Sequence, residues 1–394
     1  MHLIFKSIDI FDKYLPGYKE RYLNYFLCNY DLLKNIKKPI EKIRKNLEDL
    51  KISQIDFLFF TDKYKHLIIK LKNRNFKVAV IGGYFVEKFA KEYNIPYISV
   101  YPFKKLLIDI YLEDPEIRKK ETRKIIKYLI SVLNIIKVRY LLLPIDLLFL
   151  ERFLIFLFRY NSTKIITLQD GILLDSKKNT IPLKVWLSQK ISDIFLVWGR
   201  YFYKIVKKYY KGDSYILGYP HELLKFQKKK ILEKHSICLI GQDYENYSYQ
   251  LGLRKKKILE NVASILKNFG FKVCYKPHPG EKLIPKNVKI INLSPTDTLK
   301  NFDIFIGINS TMLLEASMLK KISIQIESNY FAKLPVEICY SISYRNIHKL
   351  PILTKTLHSP KNVSNKIVLK IQNVDERLLN IISNYEKQCK KTNY

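Results

Sequence analysis

The sequence of 394 residues is poor in cysteine and glycine, and it lacks the short motifs of several common classes of enzyme. Its five cysteines are odd in number, widely spaced and without a CxxC pair, so they predict neither a disulfide framework nor a zinc site. No GxxxxGKS/T, GxGxxG or GxSxG motif occurs. These absences exclude a P-loop, a dinucleotide-binding fingerprint and a nucleophile elbow.

Acidic residues are also few, with 36 Asp and Glu against 70 Lys and Arg and a formal net charge of +34 at pH 7. A basic surface favours anionic partners, among them a nucleotide-sugar, an acidic lipid leaflet, an acidic glycan and a nucleic acid. Glycine is limited to 12 residues while Lys, Ile, Asn and Tyr abound, a skew that an AT-rich genome also produces. The charge by itself therefore does not select one of these partners.

A secretion signal and a clear membrane span are both missing from the sequence. The amino-terminal segment 1–22 has charges inside its apolar stretch and no small-residue cleavage site, so we expect a cytoplasmic protein, free or attached peripherally to the inner face of the cytoplasmic membrane. The longest apolar stretch, 138–160, contains a proline and charged residues that a lipid-facing helix would carry only at high cost. We interpret it as a buried strand followed by a helix; a membrane-contacting helix is the less favoured alternative.

The pattern of apolar runs predicts an α/β fold. Short runs rich in Ile, Val and Phe alternate with longer Lys-rich segments of helical period, which is typical of a parallel sheet covered by helices. The predicted strands of a first series are 55–60, 76–83, 95–103, 138–145 and 163–171, and those of a second series are 236–242, 271–278, 288–293, 303–310 and 322–327.

The length and the two series predict two lobes with a cleft. We place the first lobe at 1–225 and the second at 226–394, with the Lys-rich segment 225–235 as the linker and the carboxyl-terminal helices in the second lobe. Ligands of open α/β sheets bind outside the carboxyl ends of the strands. Four short stretches follow predicted strands and carry polar groups: "QDG" at 169–171, "IGQD" at 240–243, "KPHP" at 276–279 and "INST" at 308–311.

Two of these stretches contain groups that can move a proton. Asp170 stands between an apolar run and a glycine, where a general base would be held, although the dipeptide alone favours an ordinary Asp-Gly turn. His278 lies between Pro277 and Pro279, which restrict the backbone on both sides. Such a histidine can hydrogen-bond a phosphate or donate a proton to a leaving group, and a simple turn is the alternative.

Two further segments offer hydrogen-bonding groups at helix starts. Ser310 and Thr311 begin a helix whose free N–H groups and positive dipole end suit a phosphate, while ordinary N-capping accounts for the serine as well. Asp297, in "SPTD", opens a short helix and could accept from ribose hydroxyls or a base, with N-capping as the alternative. Glu281, beyond the histidine, is interpreted as a solvated side chain.

In order and spacing, these stretches resemble the motifs of the bacterial GT-B sialyltransferases, including lipooligosaccharide sialyltransferases and polysialyltransferases, and of the related capsule Kdo transferases. Those families carry a D/E-D/E-G motif in the first lobe, and an HP motif and a paired Ser/Thr motif in the second. The resemblance covers 163–326 and departs at Gln169, where the families have an acid, and at the Ser-Thr pair. It implies a GT-B-like fold of two Rossmann-like lobes whose parallel sheets face a central cleft.

The resemblance also implies an activity: inverting transfer of sialic acid or a related 2-keto sugar from a CMP-activated donor to a hydroxyl of a cell-surface glycan, lipid-linked or not, such as lipooligosaccharide or capsule. Asp170 would be the general base, and His278 would bind the CMP phosphate and assist its departure. Ser310 and Thr311 would hold the same phosphate. The remaining donor-binding residues would be Lys276, Pro279, Asp297, Gly241 and Gln242. The absence of Asp-x-Asp predicts no metal, and no cofactor besides the donor is expected.

Two other functions fit parts of the sequence. A CDP-glycerol or polyol-phosphate transferase of surface polymer synthesis would also pair a histidine with Ser/Thr motifs on a GT-B frame. A basic nucleic-acid-binding protein would use the net charge of +34, but the charge is spread along the chain without a recognisable DNA or RNA motif. We therefore rank this function last and expect no nucleic-acid partner.

Overall fold

The computed structural model describes residues 13, 37–50, 53–104, 127–146, 148–174, 182–221, 236–245, 248–370 and 373–392. The chain forms two compact units. The first comprises Met1–Asp170, Trp186–Glu222 and Leu369–Tyr394, and the second comprises Gly171–Val185 and Leu223–Val368. Each unit contains one parallel sheet flanked by helices, which confirms the predicted α/β class.

The first unit is built on a sheet of seven strands in the order β3-β2-β1-β4-β5-β6-β7. The strands are β1 (Gln54–Phe60), β2 (Val78–Gly82), β3 (Tyr97–Ser99), β4 (Lys137–Leu143), β5 (Lys164–Leu168), β6 (Ile194–Val197) and β7 (Asp213–Ile216). All neighbouring pairs are parallel. Their side chains are mostly buried, because helices cover both faces of such a sheet.

Four helices of the first unit lie between its strands: α2 (Lys65–Asn73), α3 (Tyr84–Glu92), α4 (Phe149–Arg159) and α6 (Arg200–Tyr209). Helix α1 (Lys37–Asp49) precedes β1, and α11 (Val374–Thr392) follows all the strands. Helix α5 (Leu183–Ser188), between β5 and β6, begins in the second unit and ends in the first. The apolar stretch 138–160 is β4 followed by α4, as predicted. Within the described ranges, no helix combines the length and hydrophobicity needed to cross a bilayer.

The carboxyl-terminal helix α11 belongs to the first unit, whereas the sequence-based division placed it in the second lobe. Its apolar positions Val374, Leu378, Ile382 and Tyr385 recur at helical spacing and pack into the core that covers one face of the first sheet. The Arg74 guanidinium donates to Asp375 Oδ2 at 2.5 Å, an ion pair between α11 and the end of α2. Because this packing joins positions about 300 residues apart, chain order could not predict it.

Two strands of the first sheet, β6 and β7, lie in a segment that sequence reasoning placed between the lobes. Each has only four residues, and such short runs carry little periodicity. Both form through pairing: β6 lies against β5, and β7 lies against β6. The predicted linker 225–235 falls outside the described residues.

The second unit has a sheet of six strands in the order β10-β9-β8-β11-β12-β13. The strands are β8 (Ser236–Ile240), β9 (Lys272–Lys276), β10 (Lys289–Ile290), β11 (Ile304–Gly307), β12 (Ile322–Glu327) and β13 (Tyr340–Ser343). Its helices are α7 (Tyr249–Asn268), α8 (Pro295–Asn301), α9 (Thr311–Met318) and α10 (Leu350–Thr356), the last preceded by a 3₁₀ turn at Tyr344–Lys349. Strand β13 was not predicted.

Candidate functional site

Three of the four predicted stretches meet at one edge of the second sheet. Strands β9, β8 and β11 are neighbours, and all of them are parallel, so their carboxyl ends share this edge. The pairing of Ile240 with Lys276 places "GQD" beside "PHP", and the Gly241 N–H donates to the Lys276 carbonyl at 2.8 Å. The loop "INST" follows β11 on the other side of β8. The fourth stretch, "QDG", follows β5, and Asp170 belongs to the first unit.

The turn after β9 holds His278 by its backbone and by its ring. The Glu281 N–H donates to the His278 carbonyl at 3.0 Å, and the His278 N–H donates to Glu281 Oε2 at 2.9 Å. The Gly280 N–H donates to His278 Nδ1 at 3.2 Å. Because Nδ1 accepts, the proton of the neutral ring lies on Nε2, which is then a donor for an anion. The ring is 46% exposed, so a ligand can reach it.

Glu281 is buried, and its interpretation as a solvated side chain was wrong. Its carboxylate accepts hydrogen bonds from the Tyr275 hydroxyl and the His278 N–H, and it forms an ion pair with the Lys255 ammonium of α7. Burial, followed by the charge of Glu281, raises the pKa of Tyr275 well above its usual value. Glu281 therefore fixes the turn that carries His278.

Lys255 joins two buried carboxylates from the loops that follow β8 and β9. Its ammonium pairs with Glu281 and lies 3.2 Å from Glu245 Oε2. Glu245 in turn accepts from the N–H groups of Lys282 and Leu283 at 2.6 and 2.8 Å. Burial opposes ionisation of Glu245, but these amide donors and the ammonium outweigh it and hold its pKa below the usual value. Sequence reasoning missed this cluster because Lys255 stands among other lysines of a helix and gives no local signal.

Gly241, a predicted donor-binding residue, packs directly against this cluster. A side chain at this position would collide with the Glu281 carboxylate, and its Cβ would stand 2.6 Å from the Tyr275 hydroxyl and 3.0 Å from the His278 nitrogen. Close approach of two loops therefore requires glycine here. Gln242 follows and is half-buried.

We expect Gly241→Ala to weaken binding of the nucleotide predicted for this edge by about tenfold or more, because the added methyl group must displace the turn that carries His278, and overpacking costs about 1–3 kcal/mol. Gly307→Ala is the matched control: it also lies at a strand end of the same edge, but its Cβ would have neighbours no nearer than 3.4 Å. Isothermal titration with nucleotides measures both variants. Equal affinities would show that the turn does not contact the ligand.

The loops after β8 and β11 are joined by a side-chain contact. The Tyr244 hydroxyl hydrogen-bonds Asn309 Oδ1, and the Tyr244 ring packs on Phe331 with the ring centroids 4.4 Å apart. Asp243 Oδ2 lies 4.0 Å from His278 Nδ1, so a protonated imidazole would have a carboxylate beside it. The edge is thus a connected surface and not three independent loops.

Ser310 and Thr311 lie at the start of α9 as predicted. The Ser310 hydroxyl accepts from the Met312 N–H at 3.3 Å, the geometry of an N-cap, and Thr311 is the first residue of the helix. This hydrogen bond supports the capping interpretation of Ser310. The amino-terminal end of α9, which is the positive end of the helix dipole, lies at the same edge as His278.

Asp297 lies on α8, the helix that precedes β11. Its carboxylate accepts from the Ser294 hydroxyl at 2.7 Å, its N–H donates to Ser294 Oγ at 3.0 Å, and Lys300 lies 3.5 Å away on the same helix. The Ser294 hydrogen bond lowers the pKa of Asp297. The N-cap of α8 is therefore Ser294 and not Asp297, which lies in the first turn of the helix with its carboxylate half-exposed.

Asp170 follows β5 in the first unit. Its Oδ2 lies 2.5 Å from the Lys63 ammonium, and its side chain is 31% exposed. Gln169, which stands where the resembling families have an acid, is buried: its Oε1 accepts from the Trp198 N–H at 2.9 Å and ties β5 to the end of β6. Gln169 is therefore a structural residue of this strand end.

Sequence reasoning missed a histidine near Asp170. The ring of His221 stacks on that of Tyr64 with the centroids 5.6 Å apart and contacts the ring of Tyr219 at 4.9 Å. Burial lowers the pKa of His221 to about 4, although the charge of Asp170 acts in the opposite direction. Burial, helped by the same carboxylate, raises the pKa of Tyr64. His221 is therefore neutral at pH 7.

We expect His221→Phe to remove an acid-sensitive contribution to stability. The folded pKa of about 4 lies below the ordinary value of 6.5, so the unfolded state binds the extra proton between these pH values and wild-type stability falls as the pH falls. Phenylalanine keeps a ring on Tyr64 and does not titrate. The free energy of unfolding of the variant, relative to that of wild type, should therefore rise by up to about 3 kcal/mol from pH 7 to pH 4. Tryptophan fluorescence during urea unfolding at pH 7 and pH 4 measures this difference, because both tryptophans and His221 belong to the first unit. A pH-independent difference would contradict it.

The described ranges contain no group of three or more His, Cys, Asp or Glu side chains that could hold a metal ion. The four cysteines in these ranges, Cys238, Cys274, Cys339 and Cys389, form no disulfide. The polar groups at the second sheet's edge are instead a histidine, helix-terminal N–H groups and hydroxyls.

Comparison with protein-family models and with curated proteins gives no match. Solved structures are similar in fold. The UDP-GlcNAc 2-epimerase of Methanocaldococcus jannaschii, in complex with UDP-GlcNAc and UDP, is 15% identical with a TM-score of 0.55, and the alignment covers 84% of this chain and 99% of that one. S. aureus MnaA, in a co-structure with UDP, is 14% identical with a TM-score of 0.55 over 85% and 97% of the two chains.

These similarities confirm the GT-B-like fold class. They support an inference about the fold alone, because proteins that share only 14–15% of their residues can share a fold and differ in activity. The resemblance to sialyltransferases continues to rest on the motifs around Asp170, His278 and Ser310.

Proposed function

We propose that the chain is a glycosyltransferase that uses a nucleotide-activated sugar, with the nucleotide bound by the second unit. One observation carries this proposal: the loops of Gly241, His278 and Ser310 converge at the carboxyl edge of β9, β8 and β11. This is where open α/β sheets bind ligands. A buried cluster around Lys255 holds two of these loops in place.

The groups at this edge suit a phosphate ester. His278 would donate from Nε2, and the first N–H groups of α9 with the Thr311 hydroxyl would complete an anion site. As the bond between the sugar and the phosphate breaks, negative charge grows on the phosphate oxygen, and these donors would stabilise it. Lys276, Pro279, Gln242 and Asp297 would line the rest of the donor site, without a requirement for a metal.

In the proposed reaction, Asp170 takes the proton from the acceptor hydroxyl while that oxygen bonds to the anomeric carbon. The nucleotide leaves from the opposite face with the bonding electron pair, so the configuration at this carbon inverts. The Lys63 ammonium, 2.5 Å from Asp170 Oδ2, would hold the carboxylate in position.

The finer proposal is a CMP-activated sialic acid or related 2-keto sugar, since the HP, "QDG" and Ser-Thr motifs resemble those of CMP-dependent families. A UDP-sugar is the second candidate, because two proteins of similar fold bind UDP or UDP-GlcNAc. The acceptor would be a surface glycan, lipooligosaccharide or capsule, made at the inner face of the membrane. The excess of basic residues suits an anionic membrane or an acidic glycan there.

Thermal shift and isothermal titration with CMP, CDP, UDP and GDP test this function. We expect one pyrimidine nucleotide to bind at least tenfold more tightly than GDP, and His278→Ala to weaken its binding. CMP preference supports the 2-keto sugar donor. UDP preference, followed by assays of UDP-GlcNAc with and without acceptor, would separate a UDP-sugar transferase from an epimerase. Turnover of CDP-glycerol would show that the chain transfers a polyol phosphate instead of a sugar. Binding of none of these nucleotides would contradict the proposal.

A further inference from the structure

Helix α6 of the first unit presents a row of positive charges to solvent. Its apolar side chains Phe202 and Val206 are buried, and the helix packs against β6 and β7. The exposed residues of the segment 198–212 are one tyrosine, Tyr201, and five cations, Arg200, Lys204, Lys207, Lys208 and Lys211. The four cations inside the helix fall within an arc of about 100° and span about 12 Å along its axis.

None of these five cations forms an ion pair with a described residue. In α1, by comparison, Arg44 pairs with Glu48 one turn further along the helix. Helix α6 contains no acidic residue, and Asp193, the acid that precedes it in the chain, pairs with Arg159. Like charges one turn apart repel each other, and a cation in the first turn also opposes the helix dipole. The row is therefore unfavourable in isolation, and an anionic partner would relieve this repulsion.

The shape of the row favours a flat partner. Because the apolar side of α6 packs on the sheet, the cations stand on the convex outer face of the helix. Single-stranded nucleic acids are held in grooves, and duplex sequences are read mainly by Arg, Asn and Gln side chains at base edges. The exposed face of α6 has only Arg200 for such contacts. A layer of lipid phosphates requires no groove and no base reader, and clusters of four to eight basic residues bind it.

Tyrosines lie on both sides of the row. At 100° per residue, Tyr201 and Tyr203 project to opposite sides of the face that carries Lys204. The Tyr201 side chain is 37% exposed, and Tyr203 is partly exposed. Tyrosine joins an apolar ring to a polar hydroxyl and is enriched at the headgroup level of membranes. This combination of lysine and tyrosine suits an anionic lipid surface.

The amino-terminal end of α6 lies at the sheet edge that carries Asp170. Strand β6 ends at Val197, α6 begins at Arg200, and β6 pairs in parallel with β5, which is followed by Asp170. Because parallel strands end at the same edge, a membrane in contact with α6 would lie beside the edge of the proposed base. This placement suits an acceptor that is anchored in the membrane by a lipid.

We propose that α6 is the surface through which the first unit binds an anionic membrane, with its cations paired to lipid phosphates. The inference rests on the proposed function only for the idea of a lipid-linked acceptor. The membrane contact can be tested without any transfer reaction.

Co-sedimentation of the full chain with phosphatidylcholine vesicles, with and without phosphatidylglycerol, tests the surface. Wild type should bind the vesicles that contain phosphatidylglycerol, and added salt should weaken this binding because it screens the charges. The double variant Lys204→Gln, Lys208→Gln should bind about 25-fold more weakly, since each basic residue near an anionic leaflet contributes about fivefold. Both side chains are exposed, so the circular dichroism spectrum and the thermal midpoint should remain those of wild type.

The matched control is the double variant Lys42→Gln, Lys45→Gln on the exposed face of α1. It removes the same net charge from the same unit. We expect it to bind the vesicles within about twofold of wild type, because salt screens charges that lie away from the contact. An equal loss in both double variants would show that net charge alone drives binding and would overturn the inference.

Three further results would overturn it: no binding of phosphatidylglycerol vesicles by wild type, undiminished binding by the α6 variant, or tighter binding of a DNA or RNA oligonucleotide that α6 mediates at the same salt concentration. CMP and UDP titrations of the same proteins keep this test apart from the proposed function. Nucleotide binding without vesicle binding would contradict the membrane surface alone. Vesicle binding that depends on α6, in a protein that binds no nucleotide, would support the membrane surface and contradict the transferase.

Discussion

Replacing Lys255 with methionine is expected to destabilise the second unit by about 3–5 kcal/mol, because the change leaves two buried carboxylates without their cation. The Lys255 side chain is fully buried, and its ammonium pairs with both Glu245 and Glu281. Methionine fills a similar volume, so lost electrostatic pairing and not a cavity would cause the effect. The turn that carries His278 should loosen at the same time, since Glu281 accepts the His278 N–H.

The two units can be followed separately in this experiment. Both tryptophans of the chain, Trp186 and Trp198, belong to the first unit, so their fluorescence during urea unfolding reports on that unit. Hydrogen exchange of peptides from β8 and β9 reports on the second. We expect Lys255→Met to speed exchange in β8 and β9 and to leave the fluorescence midpoint unchanged.

Lys256→Met is the matched control, because Lys256 is the next residue of α7 and makes only an i,i+4 contact of 4.0 Å with Glu260 near the surface. It should change stability by no more than about 0.5 kcal/mol. Adding Glu281→Gln to Lys255→Met should recover part of the loss, since one unpaired charge is removed. If Lys255→Met behaves like Lys256→Met, the buried cluster does not stabilise the loops.

Asp170→Asn is expected to reduce sugar transfer by about 10²–10⁴-fold, the range that a positioned general base contributes. Asparagine keeps the size of the side chain and an oxygen for Lys63, but it cannot take a proton from the acceptor hydroxyl. Nucleotide affinity should not change, because the donor loops belong to the second unit. The loss should therefore appear in kcat with an unaltered KM for the donor.

The control for this variant is Asp213→Asn. Asp213 begins β7 in the same sheet, at the opposite edge from the strand end that carries Asp170. It should retain wild-type transfer. Full activity of Asp170→Asn would remove the proposed base, and a parallel loss in both variants would point to a general effect of charge.

Local sequence signals were sufficient for most of the sheet architecture and for the positions of the loops. Apolar runs such as 138–145 and 303–310 predicted strands that the structure contains as β4 and β11. The polar residues that follow them could then be placed at a sheet edge, because parallel strands present their carboxyl ends together. Strands β6, β7 and β13 were missed, since four residues carry too little pattern without their partner strands.

By itself the sequence determined the α/β class, two sheets and the placement of His278 and Ser310 after strands, because hydrophobic periodicity and capping are local properties. Only the tertiary structure decided that α11 covers the first sheet, that Glu281 is buried against Lys255, and that Glu151 faces a cavity. Each of these depends on contacts between residues far apart in the chain. From a sequence alone, a charged side chain is expected to be exposed to solvent. Only the packing of the folded chain shows which charged side chains are buried.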